Sequence, residues 1–210
     1  SVKELFTENR AVGTFLFWLA FFMCLLMLYA LGSWLPKLMM AAGYSLGSSL
    51  MFLLALNIGA VIGTISGGVL ADRFDFKPVL ISMLVVGVLS LVGLGFNSPQ
   101  PVIYLLVSLA GASSIGSSIL LYSYVAQYYP VAVRSTGIGW ASAVGRTGAI
   151  VGPIVIGMLL GMELPHKWNF IAVAIPGIIG AMAIFFIRPA KTAEIKAEPT
   201  VAVSAQPIRS

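Results

Sequence analysis

One arginine stands in the middle of a stretch that is otherwise small or apolar. The segment ASAVGRTGAIVGP, residues 141–153, contains Arg146 and no other charged residue. A guanidinium is planar, permanently charged and suited to bidentate hydrogen bonding with a carboxylate. An arginine near the centre of a membrane helix costs roughly 2.5 to 3.5 kcal/mol on insertion scales, so such residues usually face a polar cavity on a substrate path. Arg146 is therefore a candidate for binding an anion, although it could instead bond to carbonyl groups or to an acid on other helices.

Aromatic and amide side chains in the apolar stretches could complete a binding cavity around such a cation. Aromatic rings supply apolar contact area, and amides or phenols hydrogen bond a ligand hydroxyl. Two alternatives apply, because tyrosine and tryptophan near span ends anchor the membrane interface and an amide inside a span can bond to another helix. The candidates for the cavity are Tyr29, Trp34, Asn57, Tyr122, Tyr124 and Trp140.

The composition indicates a membrane protein. Of the 210 residues, 59% are hydrophobic and 9% are charged, whereas a soluble domain has roughly 25% charged residues. Five stretches lack Asp, Glu, Lys and Arg, and in a sixth Arg146 is the only such residue. At ~1.5 Å per residue, even the shortest of them can cross a bilayer core of ~30 Å. We predict an all-α membrane protein with six transmembrane helices, near residues 11–34, 46–71, 78–96, 102–128, 138–161 and 168–187.

The distribution of basic residues predicts the orientation. If the first connection lies outside, only Lys37 and Lys167 are outside, and positive charge accumulates on the cytoplasmic side of membranes. Both ends of this segment are therefore predicted to be cytoplasmic. The net charge of +5 then reflects topology and contact with anionic lipid headgroups, and no nucleic-acid partner is expected. The inside residues are Lys3, Arg10, Arg73, Lys77, Arg134, Arg188, Lys191, Lys196 and Arg209.

The chain divides into three predicted regions. These are a cytoplasmic N-terminal segment 1–10, a six-helix transmembrane bundle 11–187 and a cytoplasmic tail 188–210. The tail mixes Pro, Ala, Lys and Glu without periodicity and is predicted to be disordered. The first residue is Ser1 instead of Met, which suggests a fragment of a longer protein.

Glycines spaced four apart mark the second and fifth predicted spans. Gly59, Gly63 and Gly67 form one stripe, and Gly148 and Gly152 form another. Such stripes allow two helix backbones to approach closely. Because the striped helices are the middle members of two triplets, the pattern favours an inverted three-plus-three repeat, on which many transporters are built.

The connection after the second span, GGVLADRFDFKP, resembles a loop of the major facilitator superfamily. In that family the pattern G-x-x-x-D-R-x-G-R-K joins the second and third helices of each half, and its charges contact neighbouring helix ends and hold one gating state. The resemblance implies gating roles for Asp72, Arg73 and Lys77. Asp75 and Phe76 depart from it, since the family usually has glycine and a basic residue there. Without the family, these are charges at a membrane border that pair locally and cap helices.

Two longer stretches narrow the resemblance. LLMLYALGSWLPKLMMAAGYS and YYPVAVRSTGIGWASAVGRTGAIVGP are similar to the seventh and eleventh helices of aromatic-acid:proton symporters, which carry benzoate-type acids into bacteria. The resemblance covers residues 11–187 and implies the C-terminal six of twelve helices in a bacterial inner membrane. An aromatic acid offers the carboxylate that suits the Arg146 guanidinium. The resemblance implies that Arg134 acts at the cytoplasmic gate or substrate exit. Arg134 could equally be a residue that sets topology.

None of the six predicted spans contains Asp or Glu. Proton coupling needs a group that binds and releases a proton along the route. We therefore expect the proton carrier and half of the cavity to lie in an N-terminal six-helix half, without which the chain should be inactive. The expected partners are a small aromatic carboxylate, a proton, membrane lipids and that N-terminal half.

Other functions remain open. A carrier of this superfamily could transport another small organic acid or a sugar acid, or the chain could be a truncated or interaction protein that transports nothing. An enzyme is not expected, because the sequence shows no nucleophile with a base and orienting acid, no metal-ligand cluster and no glycine-rich phosphate loop. No cofactor or metal is predicted.

Overall fold

The structure, a computed structural model, describes residues 2–7, 10–96 and 98–188. All six long helices are apolar enough to cross a membrane, and no strand occurs in the described ranges. The predicted all-α, six-helix fold is confirmed. A short 3-10 helix (Val2–Phe6) precedes α1 (Ala11–Ala41), α2 (Leu46–Phe74), α3 (Phe76–Leu94), α4 (Gln100–Tyr128), α5 (Val131–Gly161) and α6 (His166–Phe186).

The first and fifth helices extend beyond their predicted apolar spans. Helix α1 continues through Pro36 and Lys37 to Ala41, and α5 begins at Val131 and includes Arg134. The absence of charge marks the part of a helix that lies in hydrocarbon. Backbone hydrogen bonding continues further, because charged side chains at a helix end can reach the headgroups and water. Helices α1 and α5 are therefore longer than the apolar spans that the sequence predicts.

The first three helices and the last three have equivalent neighbours. In this comparison α1 corresponds to α4, α2 to α5 and α3 to α6. Helix α2 packs along α4 and α5 packs along α1, while α3 contacts α4 and α6 contacts α1. Helices α3 and α6 also pack on each other. This pattern is the three-plus-three repeat. It places α1 and α4 in the centre, α2 and α5 on the flanks, and α3 with α6 on one side, called here the back; the opposite side is the front.

Glycines make the closest helix contacts. A Cβ added to Gly59 would meet the backbone of Ser108 on α4, and one added to Gly148 would meet the backbone of Phe22 on α1. The two stripes therefore serve equivalent pairs, α2 on α4 and α5 on α1. The other stripe positions have similar surroundings: Gly63 lies against Ala112, Gly152 against the backbone of Leu26, and Gly67 against the side chains of Leu120 and Met83.

Contacts between helix termini define one end of the bundle. The hydroxyl groups of Thr14 and Tyr129 lie 2.6 Å apart, and the Lys77 ammonium donates to the Ile187 carbonyl at 2.7 Å. The starts of α1, α3 and α5 thus meet the ends of α2, α4 and α6. This end is called the basic end, because it carries a group of positively charged residues: Arg10, Arg73, Lys77, Arg134 and Arg188.

The segment before α1 packs onto the basic end. Leu5 is fully buried, and its carbonyl accepts a hydrogen bond from the Thr14 hydroxyl at 2.8 Å. Phe6 adds an edge contact to Trp18. Burial raises the pKa of Tyr129, so its hydroxyl stays protonated and can donate to Thr14. Of the predicted tail 188–210, only Arg188 lies within the described residues.

Candidate functional site

Arg146 is the central residue of α5. It lies fifteen residues from both Val131 and Gly161, which is ~22 Å from either end of the helix. Its side chain is exposed, and among the described residues it makes no hydrogen bond or ion pair. This isolated chain therefore presents a cation at mid-membrane depth with its donors unused.

A contact one turn away shows which side of α5 carries Arg146. Ser142 precedes it by four residues, and its hydroxyl lies 3.2 Å from that of Tyr122 on α4. Residues four apart share a face of a helix. Arg146 therefore lies on the α4 side of α5, at the front of the bundle. Ser142 is absent from the sequence-based candidates, although its spacing from Arg146 would have identified it.

Trp140 lies on the other flank of α5. Its ring stacks on that of Trp18 with 6.0 Å between centroids, and 43% of its surface is exposed. At 100° per residue, six residues place Trp140 and Arg146 about 120° apart around the helix. The structure therefore does not bring Trp140 together with Arg146.

The other cavity candidates have separate surroundings. Tyr29 follows Phe22 by seven residues, lies on the face of α1 that packs along α5, and is 47% exposed. Asn57 is exposed on α2, and its amide donates to the Leu53 carbonyl of the same helix at 2.8 Å. The Lys37 ammonium lies over the Trp34 ring, 4.9 Å from the ring centroid. Tyr122 differs from these residues, because it contacts the Arg146 face of α5 through Ser142.

Arg134 is half-buried in the first turn of α5. Its Nε atom is buried and has no hydrogen-bond partner within the described part of the chain. A buried guanidinium nitrogen without a partner is costly. A gating role for Arg134 therefore stays a prediction, with an unused donor as its structural basis.

The loop between α2 and α3 carries the predicted gating residues. Asp72 and Arg73 are exposed in the last turn of α2. Lys77 instead points to the end of α6, where its ammonium bonds to the Ile187 carbonyl and lies 5.7 Å from the centre of the Phe185 ring. Lys77 therefore connects α3 to α6, while Asp72 and Arg73 have exposed side chains.

Asp75 holds a backbone conformation that favours glycine. Its φ is 75° and its ψ is 157°, a region that is essentially restricted to glycine and costs other residues about 1 to 3 kcal/mol. We expect Asp75→Gly to raise the free energy of unfolding by about 1 kcal/mol, because glycine removes the Cβ strain. Thermal unfolding in detergent, followed by circular dichroism, measures the change.

Asp75→Ala is the matched control for that substitution. Alanine also removes the carboxylate but retains a Cβ, so it should not stabilise the chain. Equal stabilisation by both substitutions would assign the effect to charge and contradict the backbone explanation.

No metal centre is indicated in the described residues. They include no group of three or more His, Cys, Asp or Glu residues that could hold an ion. Among the six helices the only carboxylate is that of Asp72, near the end of α2. The candidate site therefore contains the Arg146 cation, the Tyr122 phenol and the Ser142 hydroxyl, which are groups that can bind an anion.

Several curated transporters are similar in sequence to this chain. The benzoate transport protein of Acinetobacter baylyi is 50% identical over 187 residues, which is 89% of this chain and 40% of that protein. The gentisate transporter of Corynebacterium glutamicum is 39% identical over 184 residues, 87% of this chain and 41% of that protein. The chain thus spans about two fifths of the length of these relatives.

A solved structure shows the same fold. The proton:xylose symporter XylE, bound to 6-bromo-6-deoxy-D-glucose, superposes with a TM-score of 0.66 at 16% identity, over 87% of this chain and 46% of XylE. The family model of the Major Facilitator Superfamily matches residues 17–210. This is a multi-pass membrane protein, and the chain belongs to the Major Facilitator Superfamily.

Proposed function

We propose that this chain is the C-terminal half of a proton-coupled importer of aromatic carboxylates. The observation that carries the proposal is the exposed Arg146 guanidinium at the midpoint of α5. The named cargoes of similar proteins, among them benzoate, gentisate, gallate and 4-hydroxybenzoate, share an aromatic ring and a carboxylate. Carboxylate geometry matches the two parallel donors of a guanidinium.

In this proposal the front of the bundle forms one wall of the cavity. Arg146 binds the carboxylate, and Tyr122 offers an aromatic ring and a hydroxyl on the facing helix. Tyr29, Asn57 and Trp140 lie away from the Arg146 face. They would line the cavity only if the N-terminal half packed opposite them. Water exclusion by that half would strengthen the ion pair, because charges interact more strongly at low dielectric.

The proton pathway is assigned to the other half. Since Asp72 is the only acid in α1 to α6 and lies at the basic end, mid-membrane protonation needs a group from outside this chain. The proposed N-terminal six helices supply it. Asp72, Arg73, Lys77 and Arg134 then stabilise one of the inward or outward states as the two bundles rock in a bacterial inner membrane, with the basic end cytoplasmic.

The chain alone should not transport. We expect no uptake of radiolabelled 4-hydroxybenzoate by vesicles that contain only the 210-residue chain. The same chain fused behind the N-terminal half of the Acinetobacter baylyi benzoate transport protein, called here the fused transporter, should take up radiolabelled benzoate. A protonophore should abolish that uptake, because proton coupling depends on the proton gradient.

Two controls separate the parts of this proposal. The intact benzoate transport protein confirms that the vesicles are competent. Protonophore-sensitive uptake by the chain alone would refute the need for a second half. If unlabelled non-aromatic acids competed with benzoate as well as gentisate does, the aromatic assignment would be wrong.

A further inference from the structure

A groove separate from the Arg146 site runs between α2 and α3. It has a volume of about 490 Å³, and residues of α4 form its floor. Leu70, Val86 and Leu109 are typical of its largely apolar walls. The groove lies between a flank helix and a back helix, whereas Arg146 lies at the front. It is therefore not part of the proposed substrate cavity.

The depth of the groove matches one leaflet of a bilayer. Its inner end includes Gly63 and Ser113, and Ser113 lies one residue from the midpoint of α4. The other end, called here the outer end because it is far from the middle of the bundle, includes Phe74 and Pro78 and lies at the basic end. Gly63 and Phe74 are eleven residues apart, so the groove extends ~16 Å along α2. Half of a hydrocarbon core is ~15 Å.

A cation lies at the outer end on the same face of α2. Ser66 and Leu70 line the groove, and Arg73 follows them by seven and three residues, which places it on their face. Arg73 is exposed and has no hydrogen bond or ion pair within the described ranges. Asp72 lies about 100° around the helix from Arg73, and Asp75 is in the turn beyond Phe74.

Lys77 lies near the outer end of the groove in sequence, but its ammonium does not point into the groove. Lys77 donates to the Ile187 carbonyl and lies over the Phe185 ring, both on the side of α6. The groove therefore combines an apolar channel one leaflet deep with a single available guanidinium at headgroup level. Basic side chains beside a membrane attract anionic headgroups.

We propose that this groove binds one acyl chain of an anionic phospholipid, with Arg73 contacting the headgroup phosphate. The acyl chain lies between α2 and α3 and ends near Ser113. The apolar walls exclude water from the groove, and the guanidinium selects an anionic over a zwitterionic headgroup. The site is independent of the proposed transport substrate.

Native mass spectrometry of the purified chain tests the proposal by titration with phosphatidylglycerol. Ser82→Trp fills the groove from an exposed wall position whose hydroxyl bonds only to its own helix, so it should abolish the tightest bound lipid. Leu89→Trp is the matched control, because it is exposed on the same helix outside the groove. The control should retain that lipid.

A second pair of variants tests the headgroup contact. Arg73→Gln should weaken phosphatidylglycerol binding about fivefold, the effect of one basic residue near an anionic surface. Phosphatidylcholine binding should change little, and the exposed Arg188→Gln should leave both affinities unchanged. Equal lipid binding by the two tryptophan variants, or equal effects of the two arginine variants, would overturn the proposal. A dimer seen for the unmodified chain and lost in Ser82→Trp would also overturn it, because the groove would then be occupied by a second copy of the chain.

Discussion

Arg146→Gln in the fused transporter is expected to reduce benzoate uptake about 30-fold or more, because truncating one partner of a buried charge pair costs at least 2 kcal/mol. Glutamine retains the length and polarity of the side chain but cannot supply a positive charge. The carboxylate would then enter a cavity of low dielectric without a counter-charge. Initial rates of radiolabelled benzoate uptake over a range of concentrations measure the effect as a higher KM.

Arg146→Lys should lose less than the glutamine variant. Lysine retains the charge but not the planar pair of donors that matches a carboxylate. Thr147→Ala is the neighbouring control, since Thr147 is exposed on another face and bonds to the Val144 carbonyl of its own helix. Its uptake should be close to that of the unmodified protein.

Competition by a neutral analogue distinguishes ligand binding from a purely structural role. Benzamide has the same ring as benzoate but no charge, so it should compete weakly in the unmodified fused transporter. In Arg146→Gln, benzoate should lose its advantage over benzamide. If the variant lost uptake but kept the full preference for benzoate, Arg146 would hold the helices together instead of binding the anion.

Gly148→Leu is expected to destabilise the bundle by about 3 kcal/mol, at the upper end of the usual range for overpacking. The added side chain would meet the backbone of Phe22 on α1. A backbone atom cannot move away without displacing its helix, so α5 would have to separate from α1. The melting temperature in detergent and the yield of monodisperse protein should both fall.

Gly139→Leu is the control on the same helix. No atom lies within 4 Å of a Cβ added at Gly139. The substitution removes a glycine from a helix, which by itself slightly favours helix formation. Its melting temperature should therefore stay close to that of the unmodified chain. Equal losses in both variants would contradict the close α1 and α5 contact.

The sequence predicts the features that depend on a single helix. Absence of charge located five spans, and a sixth has Arg146 as its one charged residue, because ionised groups are costly in hydrocarbon. The same cost identified Arg146 before any neighbour was known. Spacing of four residues indicated that Gly59 and Gly63 share one face, since helical geometry alone places them there.

The sequence did not reveal which helix each face contacts. Gly59 and Gly63 pack on α4, which is remote in sequence, and Gly67 contacts Leu120 of α4 as well as Met83 of α3. Glycine spacing favours a close neighbour without naming it. Only the three-dimensional packing brought Ser142 to Tyr122 and Trp140 to Trp18.

The physical reason lies in the solvent. In a water-soluble protein, polar and apolar faces alternate and reveal how a helix is rotated. In a bilayer the outward face and the packed face are both apolar, so the pattern of residues carries little information about rotation. The sequence by itself determined the number of helices, their approximate limits and the cation in the middle of the fifth span. The tertiary structure decided which faces meet, because rotation and partner follow from packing between distant helices.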